Sequence, residues 1–438
     1  MNAKIILEQI FNAAVQDVLP GKLIREQVSV SDSTLLISNL QFPLKDIKCI
    51  YIIGAGKASA LMAKEIEIIL GGHITGGHVA VKYGHACELR YIKVTEAGHP
   101  VPDNNGLIAA NKILAIANKA TAKDIVICLL SGGGSALLTD CPGKIKLSDL
   151  EKLNNLLLKC GADIKEINTV RKQLSNIKGG QLAKAVYPAV LITLILSDVV
   201  GDPVDVIASG PTTPDPATSD DAMEILKKYN ILTETPQSVI EIVTGNSRGL
   251  NTASSKSNDK YFKNAYNFII GSNNIVLKAA QNKCAELGLN SFIVSGKLEG
   301  DTVKAAEHII ETALRYQKDS GIKKPVCLLF GGETTLKIMG NGLGGRNQHL
   351  ALHAALMLRD KKEITLLSAG TDGSDGPTDA AGAVVSAETY EVASLLNLCI
   401  EKYLEEFDSY HFFQRAGGHI ITGPTMTNVM DVMMAMVE

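Results

Sequence analysis

Lys57 lies just beyond an apolar run at 50–53, in Gly54-Ala55-Gly56-Lys57, and a helix-like stretch follows it. A mobile cation beside Gly54 and Gly56 is placed to meet an anion. The glycines let the backbone approach a ligand, and the helix start turns free N–H groups toward it. Ser131-Gly132-Gly133-Gly134-Ser135 ends a second apolar run, 125–130. Three glycines in a row cost backbone entropy that a plain connector need not carry, so these amides read as a nest for phosphate or carboxylate. A nucleophilic serine fits less well, because no Gly-x-Ser-x-Gly elbow and no base accompany it.

A third apolar run ends in Gly331-Gly332-Glu333-Thr334, and residues 340–348 (GNGLGGRNQ) then open another helix-like stretch. Gly344 and Gly345 bring Arg346 and Asn347 to that helix start, where a guanidinium can grip a carboxylate or phosphate at two points. Carboxylates end two more runs: Asp198 after 191–196, and Asp372 and Asp375 in Gly370-Thr371-Asp372-Gly373-Ser374-Asp375-Gly376. Aspartates at strand ends can hold Mg²⁺ or take a proton from a hydroxyl. The competing role for each is a turn former that caps the next helix. The 370–376 run is not a calcium loop, since a strand precedes it and no glutamate closes it. Arg171 and Lys178 occupy a polar helix-like stretch, where such charges alone read as a solvated face. His349 and His353 stand four apart without the glutamate of a zinc-protease motif.

These residues need elements to hold them. Short apolar runs at 49–53, 78–82, 125–130, 189–196, 268–270, 291–294, 326–330 and 364–368 read as strands. Amphipathic stretches at 58–70, 106–118, 147–158, 275–287 and 302–317 read as the helices between them. Alternation of this kind predicts an α/β protein with mainly parallel sheets flanked by helices, and ligands at the carboxyl ends of the strands. Residues 244–260 (TGNSRGLNTASSKSNDK) cannot bury a core and read as an exposed linker. The expected domains are therefore 1–240 and 241–438.

The 438 residues suffice for two such domains. The 43 basic and 46 acidic residues leave a formal charge of -3, which speaks against nucleic acid as a partner. No apolar run reaches the ~20 residues of a membrane helix. Eight cysteines without a Cys-x-x-Cys pair read as reduced thiols in a cytoplasmic protein.

The motifs as a set resemble the class II glycerate 2-kinase family, whose C-terminal half carries a MOFRL domain. The resemblance runs through Gly54–Ala58, Gly98-His99-Pro100, Ser131–Leu137, Asn168-x-x-Arg171-Lys172, Lys178-Gly179-Gly180, Leu196-Ser197-Asp198, Gly331–Thr334, Gly344–Gln348, 369–376 and Thr422-Gly423-Pro424-Thr425. It implies a Rossmann-like N-terminal domain, a MOFRL C-terminal domain and an active site in the cleft between them. It further implies transfer of a phosphoryl group from ATP to the 2-hydroxyl of D-glycerate with Mg²⁺, by a monomer or homodimer. Lys57, Arg346 and Asp198 are then the catalytic candidates, and Asp372 and Asp375 the metal ligands. Gly54, Gly56, Ser131, Gly132, Gly133, Gly134, Ser135, Arg171, Lys178, Glu333, Gly344, Gly345 and Asn347 would bind substrate or nucleotide. Met426 stands where the family pattern has glycine, which predicts an altered turn. Alternatives are another hydroxy acid as acceptor, or an NAD(P)H-dependent hydroxypyruvate reductase. Against the reductase, Ser59 occupies the third position of Gly-x-Gly-x-x-Gly.

Overall fold

The structure is a computed structural model and describes residues 2–247 and 259–438. Two compact units divide the chain: Leu23–Leu196 with Pro203–Ile270, and Met1–Lys22 with Ser197–Asp202 and Gly271–Glu438.

The first unit opens with an antiparallel sheet of β1 (Val28–Ser31), β2 (Thr34–Ile37) and β3 (Leu40–Pro43). Its main sheet contains β4 (Cys49–Ala55), β5 (Gly76–Lys82), β6 (Ile92–Ala97), β7 (Asp124–Leu130), β8 (Val190–Leu196) and β9 (Ala265–Gly271), in the order β6-β5-β4-β7-β8-β9. The β6–β5, β5–β4, β4–β7 and β7–β8 pairs are all parallel. Every residue of β7 is buried, as expected where helices cover both faces of a parallel sheet. Helix Asn104–Lys119 starts where Asp103 Oδ1 accepts the Gly106 amide at 3.0 Å. A separate helical core, built on Leu153, Leu157, Val170, Leu226 and Val243, joins helices Leu147–Lys159, Ile164–Lys172, Ser219–Lys228 and Gln237–Ser247.

The second unit holds β10 (Asn290–Asp301), β11 (Val326–Thr335), β12 (Ile364–Gly370), β13 (Gly382–Ser386), β14 (His419–Ile420) and β15 (Asp431–Val437), in the order β10-β11-β15-β12-β13-β14. This sheet is mixed. β10 and β11 run parallel, but β15 lies between β11 and β12 antiparallel to both. The apolar run Val432–Val437 (VMMAMV) therefore forms a central strand that the sequence reading did not mark. Helix Thr302–Lys318 begins at Asp301, whose Oδ1 accepts the amides of Val303 and Lys304.

The contact division differs from the expected boundary at 240. Helix Ala3–Asp17 belongs with the C-terminal unit and packs on helix Asn273–Glu286. An amphipathic stripe tells that a helix must dock, not on which core. The expected linker at 244–260 is also shorter than predicted: helix Gln237–Ser247 takes its first residues, and 248–258 lie outside the described residues.

Candidate active site

In the first unit, β4 and β7 are neighbours in register, so the loops leaving their carboxyl ends meet. The Lys57 amide donates to Gly132 O at 2.9 Å and the Ala58 amide to Ser131 Oγ at 3.0 Å. Ser131 is buried and its own amide donates to Ala55 O. This lacing leaves the amides of Gly132 and Gly133 with no protein partner among the described residues. Gly133 has φ 85°, and a Cβ there would lie 2.8 Å from His99 Cδ2. Only glycine fits the turn, which supports the nest reading. Gly134 begins the short helix Gly134–Leu137. Ser135 Oγ lies 2.7 Å from Ser209 Oγ and accepts from Arg171 at 3.3 Å.

The nest is electropositive. Burial, then the charges of Lys57, Lys82 and His85, push the His99 imidazole below its ordinary range. His85 Nδ1 sits 3.1 Å from Lys57 O. The loops thus bring together Lys57, Gly132, Gly133, Ser135 and Arg171, and add His99, whose motif the sequence had marked without giving it a task. Lys178 adjoins this group through Arg171. It is buried, its ammonium bonds Leu138 O, and burial, opposed by Asp140, pulls it down to about 8. Arg171, Asp140, Ser175 and Lys178 line a cavity of about 30 Å³, the size of one water. Ser59, at the would-be third glycine, is buried and donates to Leu129 O at 3.1 Å.

In the second unit, Arg346 is the first residue of helix Arg346–Leu358. Its Nε donates to Asp431 Oδ2 at 2.6 Å and its Nη2 to Asp431 Oδ1 at 3.0 Å. Its Nη1 donates to exposed Glu333 at 2.7 Å. Burial alone would lower the guanidinium, but Asp431, Glu333 and Asp375 together hold it well above its ordinary range. Arg346 is therefore charged at every pH of interest. Asp431 was not foreseen, because it lies 85 residues from Arg346 and opens a strand that no turn signal announced.

Asp375 takes the competing role of a helix cap. Its carboxylate accepts the amides of Asn347 at 3.0 Å and Gln348 at 2.8 Å, and both residues' side-chain amides at 3.3 and 3.1 Å. Burial raises its carboxyl to about 6, against these donors. Asn347 also has both amide atoms engaged, its oxygen accepting from Ser368 at 2.7 Å. Glycines 340–345 serve close packing more than ligand approach. A Cβ at Gly344 would strike Ser409 Oγ at 2.2 Å and one at Gly345 the Asp375 backbone at 2.4 Å. The Gly342 and Leu343 amides already donate to Glu406 O and Asp408 Oδ1.

Asp372 is half-buried and open on one side. Its Oδ1 accepts the Ser374 amide at 3.0 Å, and its other oxygen has no protein partner among the described residues. Turn 422–427 braces this loop: the Thr425 amide donates to Asp372 O at 3.2 Å and Thr425 Oγ1 to Thr371 O at 2.6 Å. Met426 takes φ 66°, so the turn keeps the left-handed residue that glycine would supply. Asp198 is half-buried just past β8. No group of three or more His, Cys, Asp or Glu side chains is arranged to hold a metal among the described residues. No helix among them is long and apolar enough to cross a membrane.

Residues 6–244 match the family described as "Domain of unknown function (DUF4147)", and residues 326–431 match the MOFRL family. The chain is 41% identical to the glycerate 2-kinase of Pyrococcus horikoshii, over 97% of this chain and 95% of that one. It is 38% identical to the D-glycerate 2-kinase of Thermotoga maritima, over 98% and 97%. The crystal structure of a Pyrococcus horikoshii OT3 protein superposes with a TM-score of 0.90 at 40% identity, covering 100% of this chain and 99% of that one. The crystal structure of the Thermotoga maritima glycerate kinase gives 0.89 at 38% identity, covering 99% of each.

Proposed function

The chain belongs to the glycerate kinase family built from DUF4147 and MOFRL domains, and we propose that it transfers the γ-phosphoryl group of ATP to the 2-hydroxyl of D-glycerate. The observation that carries this reading is the full-length match to named glycerate 2-kinases, together with an intact Lys57 nest and a fully charged Arg346.

Phosphoryl transfer asks for positioning and charge neutralisation rather than covalent chemistry. The 2-hydroxyl oxygen bonds to the γ-phosphorus while the bond to the bridging oxygen breaks, ADP leaves, and the hydroxyl proton passes to a base. Asp198 is the base in this proposal. Lys57 and Arg346 neutralise the phosphoryl oxygens and the glycerate carboxylate, and the amides of Gly132 and Gly133 receive one of these anions. Mg²⁺ fits the residues present, since it commonly takes only one or two carboxylates and completes its shell with water and phosphate oxygens. Asp372 would hold it, and the ion would offset phosphate charge; Asp375, with four N–H donors on its carboxylate, positions the Arg346 helix instead. Lys178 and Asn347 support the loops rather than touch ligand. Against the reductase alternative, Ser59 fills the place where a dinucleotide loop needs glycine.

The deciding experiment incubates the protein with D-glycerate, ATP and Mg²⁺ and identifies the product by phosphorus NMR. A 2-phosphoglycerate signal, absent with L-glycerate or without Mg²⁺, is expected. A 3-phosphoglycerate signal would refute the position, and NADH oxidation by hydroxypyruvate without phosphorylated product would refute the reaction.

A further inference from the structure

We propose that Asp431 is a positioning residue for the reaction: it clamps the Arg346 guanidinium at two points so that Nη1 is the edge presented to an anionic substrate. The inference rests on the kinase reading above and goes beyond it by giving the buried carboxylate a role.

Three observations converge on Asp431. First, it is 1% exposed and takes Nε and Nη2 of Arg346 in a paired geometry, the fork-to-fork match that fixes a guanidinium in direction as well as place. Second, the sheet clears room for it. Asp431 opens β15, and its register partners on both sides are glycines, Gly332 of β11 and Gly370 of β12. A Cβ at Gly370 would lie 3.5 Å from Asp431 Oδ1 and 3.3 Å from Asp372 Oδ1, so the clamp stands beside the open carboxylate. Third, its backbone is pinned: Asn273 Nδ2 donates to Asp431 O at 2.9 Å and to Val429 O at 3.0 Å.

The two carboxylates on Arg346 therefore do different jobs. Asp431 is buried and fixed. Glu333 is 44% exposed and holds only Nη1, so an arriving phosphate or carboxylate can take its place without disturbing the clamp. A guanidinium free to rotate would bind anions too, but would not meet the transferring group in one geometry.

The test is a kinetic cycle on the full chain with D-glycerate, ATP and Mg²⁺, using Asp431→Asn, Arg346→Ala, the double variant and Arg346→Lys. Asparagine keeps the shape and one acceptor but loses the second contact and the charge. The expected result is a kcat at least ~10-fold lower for Asp431→Asn with KM changed less than ~3-fold, as for an interaction made in the transition state. In the Arg346→Ala background the same substitution should cost less than ~3-fold, because the clamp has nothing left to hold. Arg346→Lys keeps the charge but cannot make the paired contact, and should lose at least ~10-fold even if Asp431→Asn does not fold. A folded Asp431→Asn with more than a third of wild-type kcat overturns the inference. So does an undiminished cost in the Arg346→Ala background, or an Arg346→Lys variant near wild-type kcat. Wild-type protein that makes no phosphoglycerate would instead bring down the kinase reading itself.

Discussion

Replacing Asp375 with alanine tests whether this carboxylate builds the Arg346 helix or holds a metal. In the structure it is buried and accepts four N–H groups, two from the first turn of helix Arg346–Leu358 and two from side-chain amides. Stranding a buried donor costs ~1–3 kcal/mol each. Against this, holding the charge in the interior raises the carboxyl from 3.8 to about 6. At ~1.36 kcal/mol per pKa unit, deleting the charged group recovers ~3 kcal/mol at pH 7. With each donor near the middle of its range, about 2 kcal/mol, the variant should lose ~5 kcal/mol at pH 7. For a domain of this size that is roughly a 15 °C fall in melting temperature. The assay is denaturant unfolding of both proteins at pH 7 without added metal. A loss below ~1 kcal/mol, combined with loss of Mg²⁺-dependent activity, would refute the capping argument and restore Asp375 as a metal ligand.

Lys57→Ala should lower kcat at least ~100-fold while leaving the melting temperature within ~2 °C, since Lys57 is half-buried and its fixed contacts are made by its backbone. Arg346→Ala should lower kcat as far and also destabilise by ~3 kcal/mol, because it leaves buried Asp431 without its cation; unfolding curves separate the two effects. Gly133→Ala should destabilise by ~1–3 kcal/mol and depress activity, as a left-handed backbone and the His99 ring both exclude a Cβ; a differential scan with a kinetic assay reads both. Lys178 has a folded pKa near 8, below the 10.5 of the exposed group, so the unfolded chain binds its proton first as pH falls. Its contribution should therefore rise from pH 8 to ~10.5 by up to ~3 kcal/mol and be flat below 8, and Lys178→Met should remove that slope from unfolding curves taken across the window.

The sequence shows some of this plainly and hides the rest for physical reasons. β4, β5, β7, β8, β11 and β12 were legible because buried central strands read as short apolar runs bounded by turn residues. The Lys57 and Ser131–Ser135 loops were legible as a site because glycines at adjacent strand ends have few other causes. Asp431 was not, since pairing across 85 residues leaves no local signal. Asp375 was ambiguous in kind: an aspartate three residues after another at a strand end looks the same whether it meets a cation or the start of a helix elsewhere in the chain. The glycines of 340–345 misled in a related way, because a close approach to protein and one to ligand demand the same residue.

The placement of helix Ala3–Asp17 bears on how the protein is made. Thr427 Oγ1 bonds Val18 O across 409 positions, and the sheet in that unit cannot assemble until β15 is available to lie between β11 and β12. The helix leaves the ribosome early and must wait, its apolar side uncovered, while the strands and helices from Leu23 to Ile270 appear. The unit made in the middle of synthesis can close first, and the unit that owns both flanks closes afterwards. A helix waiting through that interval is the natural target for a chaperone that binds nascent chains, and slowing translation beyond residue 270 would lengthen its exposure rather than shorten it.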